Sequence, residues 1–225
     1  MAGGQDTVVN IAARFLYGAA GSGLQTQGEA RVRVDPNPFP QFAEFRWGDE
    51  KAPFAEKFME LGSTVTDGDG KATLTIPASE IGDTPDPLVA AVTASVFEPG
   101  GRPVREGFNL KVRTRPLYLG VKIDEGQATG RDPPVSFDII AVNAAGQRVA
   151  ANGVSYTLIS ENWDSDWFLQ DGKWQWRRTS RDAIVMKGDV NIAAGQPGRL
   201  TRRLGWGDYR LEVTGPDGAR TVTRF

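Results

Sequence analysis

Val9-Asn-Ile-Ala-Ala-Arg-Phe-Leu-Tyr-Gly-Ala-Ala-Gly21 and Val135-Ser-Phe-Asp-Ile-Ile-Ala-Val-Asn-Ala-Ala-Gly146 decide the fold. Each is a run of strand formers that ends in a small-residue turn and leads into a further strand, with Phe15–Gly21 resembling Ile140–Gly146. Ala30-Arg-Val-Arg-Val34 alternates cleanly with a period of two, the pattern of a half-buried strand. Similar runs follow at Lys71–Ile76, Val89–Phe97, Gly107–Val112, Leu117–Ile123, Val154–Ile159, Arg199–Leu204, Tyr209–Val213 and Arg220–Phe225. Turn clusters such as Asp67-Gly-Asp-Gly70, Glu98-Pro-Gly-Gly101 and Gly215-Pro-Asp-Gly218 separate them. No segment keeps a helical period for three turns. Short strands with regular turns predict an all-β protein of antiparallel sandwiches, fibronectin- or immunoglobulin-like in architecture.

Each half also closes alike, Ala94–Gly101 leading into Phe108–Val112 and Tyr209–Gly218 into Val222–Phe225. The repeat predicts two consecutive sandwiches, residues 1–114 and 115–225, joined near Arg113-Thr-Arg-Pro116, where the proline restricts the residue before it. The copies are not equal. Leu117–Ile123 precedes the matching hairpin of the second, whereas Met1–Asp6 is all that precedes that of the first. The first sandwich is therefore expected to lack its opening strand and to present an unpaired edge open to strand addition.

Of the 225 residues, 26 are Lys or Arg and 28 are Asp or Glu, a net charge of −2 that gives no basic surplus for nucleic acid. The sequence has no Cys and no His, which removes thiolate and imidazole catalysis, disulfides and the usual zinc ligands. The longest apolar stretch, Leu88–Val92, is too short to span a bilayer, so no direct membrane contact is expected.

Asp67-Gly-Asp-Gly-Lys71 resembles the start of a calcium loop, but Lys71 and Ala78 stand where the loop needs oxygen ligands, so a hairpin turn is expected and no metal or other cofactor. Trp163, Trp167, Trp174 and Trp176 crowd one short stretch beside Phe168, Lys173, Arg177 and Arg178. Packing over the sandwich is the expected reading, with Arg177 and Arg178 pairing to Asp164 and Asp166. A sugar-stacking platform is the alternative. Glu44, Asp49, Glu50, Glu56 and Glu60 lie among Phe42, Phe45, Trp47, Phe54 and Phe58, and read as a solvated rim around aromatic anchors. No catalytic motif marks an acid–base pair, so no enzyme activity and no catalytic residue is expected. Asp35-Pro-Asn-Pro-Phe-Pro40 reads as an extended bridging loop.

Phe15–Leu24, Thr66–Leu74 and Val96–Val104, followed by Val135–Val149, the segment ending Lys173-Trp-Gln-Trp-Arg-Arg178, and Gly205–Val213, resemble in order two macroglobulin domains of the bacterial alpha-2-macroglobulin family. The resemblance implies a scaffold segment of a large protease trap, with neighbouring macroglobulin domains as partners and proteases as targets of the whole protein. It implies a periplasmic parent anchored to the inner membrane. Without cysteine, this segment holds neither a thioester nor a lipid site. Gln41–Gly62 and Ser160–Gly172, the longest stretches without alternation, are where a bait would lie, yet their aromatics predict that both are anchored. The competing expectation is a carbohydrate-binding or adhesin-like sandwich pair that uses Trp163, Trp167, Trp174 and Trp176.

Overall fold

The computed structural model describes residues 5–124 and 132–225, and of 164–166 and 178–180 the backbone alone. The chain divides into two compact units, one of residues 1–38 and 54–116, the other of residues 39–53 and 117–225.

The chain opens with β1 (Thr7–Ala12) and β2 (Gln25–Val34). It then passes through β3 (Arg46–Trp47), which belongs to the second unit, and returns as β4 (Lys57–Val65), β5 (Lys71–Ile76), β6 (Leu88–Phe97) and β7 (Pro103–Val112). In the first unit a sheet of order β4-β2-β6-β7 faces the antiparallel pair β1-β5. The alternation in β2 turns Ala30 and Val32 inward and leaves Arg31 and Arg33 in solvent. With Val9, Ile11, Leu74, Ile76, Leu88 and Val92 these residues form the core. At the end of β7, the buried Arg113 donates to the carbonyls of Pro38 (2.9 Å) and Leu88 (2.7 Å) and pairs with Asp35 at 3.0 Å. The proline-rich loop is thereby pinned to its own unit.

The second unit adds β8 (Leu117–Asp124), β9 (Pro134–Asn143), β10 (Ala151–Glu161), β11 (Trp163–Gln170), β12 (Lys173–Ser180), β13 (Ala183–Ile192), β14 (Gly198–Arg203), β15 (Asp208–Thr214) and β16 (Arg220–Arg224). Its sheets have the orders β13-β10-β15-β16 and β14-β9-β8-β3. Leu119, Val121, Phe137, Ile139, Leu158, Leu211 and Val213 fill the space between them. The other face of β8 and β9 is covered as well. There Tyr118, Ile140 and Val142 pack with Phe39 and are flanked by Phe42, Phe45 and Trp47.

Residues 39–53, which the sequence reading counts with the first half, are thus a strap built into the second unit. Arg46 and Trp47 pair with Val121 and Gly120 on the edge of β8, and Asp49 bridges to Val222 on the edge of β16. Gln41 donates to the carbonyl of Gly146 at 2.7 Å and Arg46 to that of Arg224 at 2.7 Å. The strap closes one side of this sandwich by joining the edges of its two sheets.

The internal repeat is real but shifted by three residues from the sequence match. Phe15 N–H donates to Ala19 O and Gly18 N–H to Phe15 O, as Asn143 N–H donates to Gln147 O and Gly146 N–H to Asn143 O. The equivalent glycines are therefore Gly18 (φ 92°) and Gly146 (φ 82°), the positions where the turn requires a left-handed backbone. This alignment sets β1 against β9, β5 against β14 and β7 against β16. Nothing among the described residues of the first unit corresponds to β8, so one edge of β1 has no partner strand, as its sequence predicts.

Candidate functional site

The tryptophan-rich stretch forms a two-stranded ribbon. Gln170-Asp-Gly-Lys173 turns the chain with Asp171 at φ 51° and Gly172 at φ 72°, the paired left-handed conformation that Asp-Gly favours in a tight hairpin. Across the ribbon Trp167 pairs with Trp176 and Leu169 with Trp174. Because side chains alternate along a strand, Trp163, Trp167, Leu169, Trp174 and Trp176 all share one face. They are 48% to 68% exposed. The other face carries Phe168 and Arg177, whose guanidinium carbon stands 5.2 Å from the ring centroid.

The four tryptophans predicted as a group are therefore brought together, but not as packing over the sandwich. None of them enters either core. The reason is that β11 and β12 leave the sheet, with β10 and β13 resuming pairing only at Ser160 and Ala183. The expected pairing of Arg178 with Asp164 or Asp166 lies outside the described side chains. The Asp171-Gly172 dipeptide between two strand-forming runs was the sequence signal for this ribbon.

Its root is clamped by charge. Glu161 ends β10 and Asp182 precedes β13, and both reach the buried Arg210, which pairs with Glu161 and donates to Asp182 at 3.0 Å and Glu212 at 2.8 Å. Arg224 holds the second oxygen of Glu161 at 3.0 Å. Arg220 links Glu212 (3.0 Å) to Asp49 of the strap (2.9 Å). Burial opposes the charge on Arg210, but the hydrogen bonds to Glu212, Asp182 and Glu161 outweigh it and raise its pKa. For Glu161 burial pushes the carboxyl upward, and Arg224 and Arg210 together hold it below the ordinary range.

Glu44, Asp49, Glu50 and Glu56 are engaged rather than poised. Glu44 accepts from Lys122 at 2.8 Å, Glu56 pairs with Arg31, and Glu50 accepts from the backbone N–H of Arg224 at 2.8 Å. Asp49 also caps its own turn by accepting from Lys51 N–H at 2.9 Å. Glu60 lies on β4 opposite Glu29. In the Asp67 turn the backbone N–H groups of Asp69 and Lys71 donate to Asp67 Oδ1 at 2.9 and 2.8 Å, so this carboxylate serves the hairpin. No cluster suited to a metal ion occurs among the described residues. The arrangement offers an apolar face on a charge-clamped arm, not an acid–base site.

Comparison with known proteins matches residues 1–113 to the bacterial alpha-2-macroglobulin MG5 domain and residues 120–225 to bacterial macroglobulin domain 6. An alpha-2-macroglobulin of Xylella fastidiosa (strain 9a5c) is 28% identical over 206 residues, covering 91% of this chain and 13% of the relative. That of Escherichia coli K12 is 26% identical over 232 residues, covering 96% and 14%. The chain thus spans about one seventh of these relatives. Among solved structures, the native E. coli protein superposes with a TM-score of 0.74 at 24% identity over 99% of this chain and 15% of that one. The E. coli protein activated by porcine elastase does so with 0.76 at 24%, covering 100% and 20%.

Proposed function

The chain belongs to the bacterial alpha-2-macroglobulin family, and on that premise we propose that it is a structural scaffold segment of a large protease-trapping inhibitor. Its two units, residues 1–38 with 54–116 and residues 39–53 with 117–225, act as two macroglobulin modules of the frame. The observation that carries this reading is how the two stretches without sequence alternation are held. Gln41–Gly62 is tied down as the aromatic strap and β4, and Ser160–Gly172 is spent on the end of β10 and the ribbon. A bait must be long, exposed and unpaired to fit a protease cleft. Neither stretch qualifies, so the bait lies elsewhere in the parent.

The absence of cysteine places any thioester and any lipid anchor outside this segment as well. Its role is mechanical and not enzymatic, and its partners are the neighbouring macroglobulin domains. Target proteases are met by the whole periplasmic protein. When the bait is cut, modules of this kind move as rigid bodies. The test is limited proteolysis with several proteases of unlike specificity, the cuts mapped by mass spectrometry. Cuts confined to the ends and the 113–117 join are expected. Cutting by every protease inside one internal stretch would overturn the reading.

The exposed indoles favour a second reading, a carbohydrate-binding surface on the ribbon, since flat apolar rings stack on sugar faces. Titration of the chain with soluble oligosaccharides, followed by tryptophan fluorescence, separates the two. A saturable change lost in Trp167→Ala and Trp176→Ala would move the function to the ribbon; a flat response leaves the scaffold.

A further inference from the structure

Toward the free end of the ribbon, the pairs Trp167–Trp176 and Leu169–Trp174 form one apolar block, each residue of it more than half exposed. Alternation puts Phe168, Gln170, Lys173, Gln175 and Arg177 on the opposite face. Apart from the indole N–H groups, the block therefore carries no charge and no hydrogen-bonding side chain. A sugar site sets placed polar groups beside its rings, and here Gln170, Gln175, Lys173 and Arg177 all lie on the wrong side for that role. An anionic surface would likewise meet the indoles and not the two cations. What such a block fits is another uncharged apolar surface of protein.

Its size says how that protein is held. Taking about 250 Å² for a whole tryptophan, the block offers on the order of 500 Å². With a matching partner that is about 1,000 Å² in all, short of the roughly 1,200–2,000 Å² of stable free complexes and inside the roughly 600–1,500 Å² of contacts between domains of one chain. A covalent tether supplies what the area lacks, since it raises the partner's effective concentration. The arm is also ordered in advance. The Asp171-Gly172 turn closes its free end and the Arg210 cluster clamps its root, so little freedom remains to be lost on docking.

We propose that this block is the docking face for another macroglobulin domain of the parent, outside these 225 residues, which meets it with a flat, uncharged sheet face. This chain covers 13% and 14% of its relatives' length, so a parent of that size has ample polypeptide to supply the partner. The inference rests on the scaffold reading and names the surface through which the second unit is held in the frame.

The test is hydroxyl-radical footprinting of this chain and of the full-length parent, with oxidation of Trp167, Trp174 and Trp176 located by mass spectrometry. In this chain the three are expected to oxidise as exposed indoles at every protein concentration. In the parent their oxidation should fall by about fivefold or more, because the core of an interface packs like a protein interior, and it should not recover on dilution. Trp167→Glu combined with Trp176→Glu gives the second measurement. It should leave the thermal midpoint of this chain unchanged, since neither indole enters a core, and restore the oxidation of Trp174 in the parent. Equal oxidation in chain and parent overturns the proposal. So does protection that fades on dilution, which makes a second copy the occupant, and protection that appears only with an added soluble chito-oligosaccharide, which makes it a sugar. Limited proteolysis keeps the two readings apart: exposed indoles in a parent whose two units resist cutting refute the docking face and leave the scaffold standing.

Discussion

The two units follow one strand order, yet β7 and β16, which hold the same place in it, live in different surroundings. Thr221, Val222 and Thr223 of β16 are buried, whereas every residue of β7 from Pro103 to Asn109 is exposed, Val104 and Phe108 included. The composition of β7 explains this only in part, since Glu106 interrupts the face that Val104, Phe108, Leu110 and Val112 would otherwise make apolar. The cover explains the rest. β8 and the strap lie against the second sandwich on the side where the first has only an open groove, lined by residues of β1 and β7. A strand's pattern states which face turns inward; a neighbour decides whether that face is dry.

This difference can be broken most forcefully at Arg210. Arg210→Met leaves Glu161 and Glu212 with a buried partner missing, and the second unit should lose about 3–5 kcal/mol, while the first keeps its midpoint in two-transition denaturant unfolding. Equal losses in both units would mean that they do not unfold separately. Next, Phe137→Ala and Val9→Ala remove equivalent residues under unlike cover. The first should cost about 3–5 kcal/mol and the second, with two methyl groups beside an open groove, about 1.5 kcal/mol. Similar costs would show that the groove is no weaker than a closed core.

Gly120→Ala probes the strap alone. A Cβ there would stand 2.6 Å from the Trp47 ring, so β3 must shift, at about 1–3 kcal/mol. Faster hydrogen exchange at Arg46 and Trp47, with no change in β1, is the expected signature. The smallest effect is that of pH. Glu161 is held low by Arg224 and Arg210 against its burial, and Asp138 by Arg199 against its burial, so each contributes stability above its unfolded pKa and loses it as pH falls through the folded value. Both lie in the second unit. Between pH 5 and the acid range, that unit should lose stability more steeply than the first, as thermal scans at stepped pH would register.

Reading the strands from sequence succeeded where one face is wet. Lys71–Ile76 coincides with β5, and Ala30–Val34 lies within β2, both with buried and exposed residues in alternation. It failed for β4, most of which is exposed, and for β13, where a bulge between Ile184 and Met186 breaks the period. The strap had a signature that went unused. Ile139-Ile140-Ala141-Val142 is continuously apolar, the mark of a strand covered on both faces, and Phe39, Phe42, Phe45 and Trp47 supply the second cover. The ribbon likewise announced itself only in Asp171-Gly172. Its tryptophans are expected to pack over the sandwich because large apolar residues are usually covered, and what leaves them exposed is the departure of β11 and β12 from the sheet.

From the chain of amino acids alone came the all-β class, the twofold repeat, the family resemblance, and the exclusion of every cysteine and histidine chemistry. These are properties of composition and of local period, which each segment carries within itself. Tertiary structure alone decided that residues 39–53 complete the second unit, that Arg210 clamps the root of the ribbon, and that the indoles face outward. Those depend on pairings between residues as far apart as Asp49 and Arg220, and a period of two records that a face needs cover without recording which distant segment supplies it.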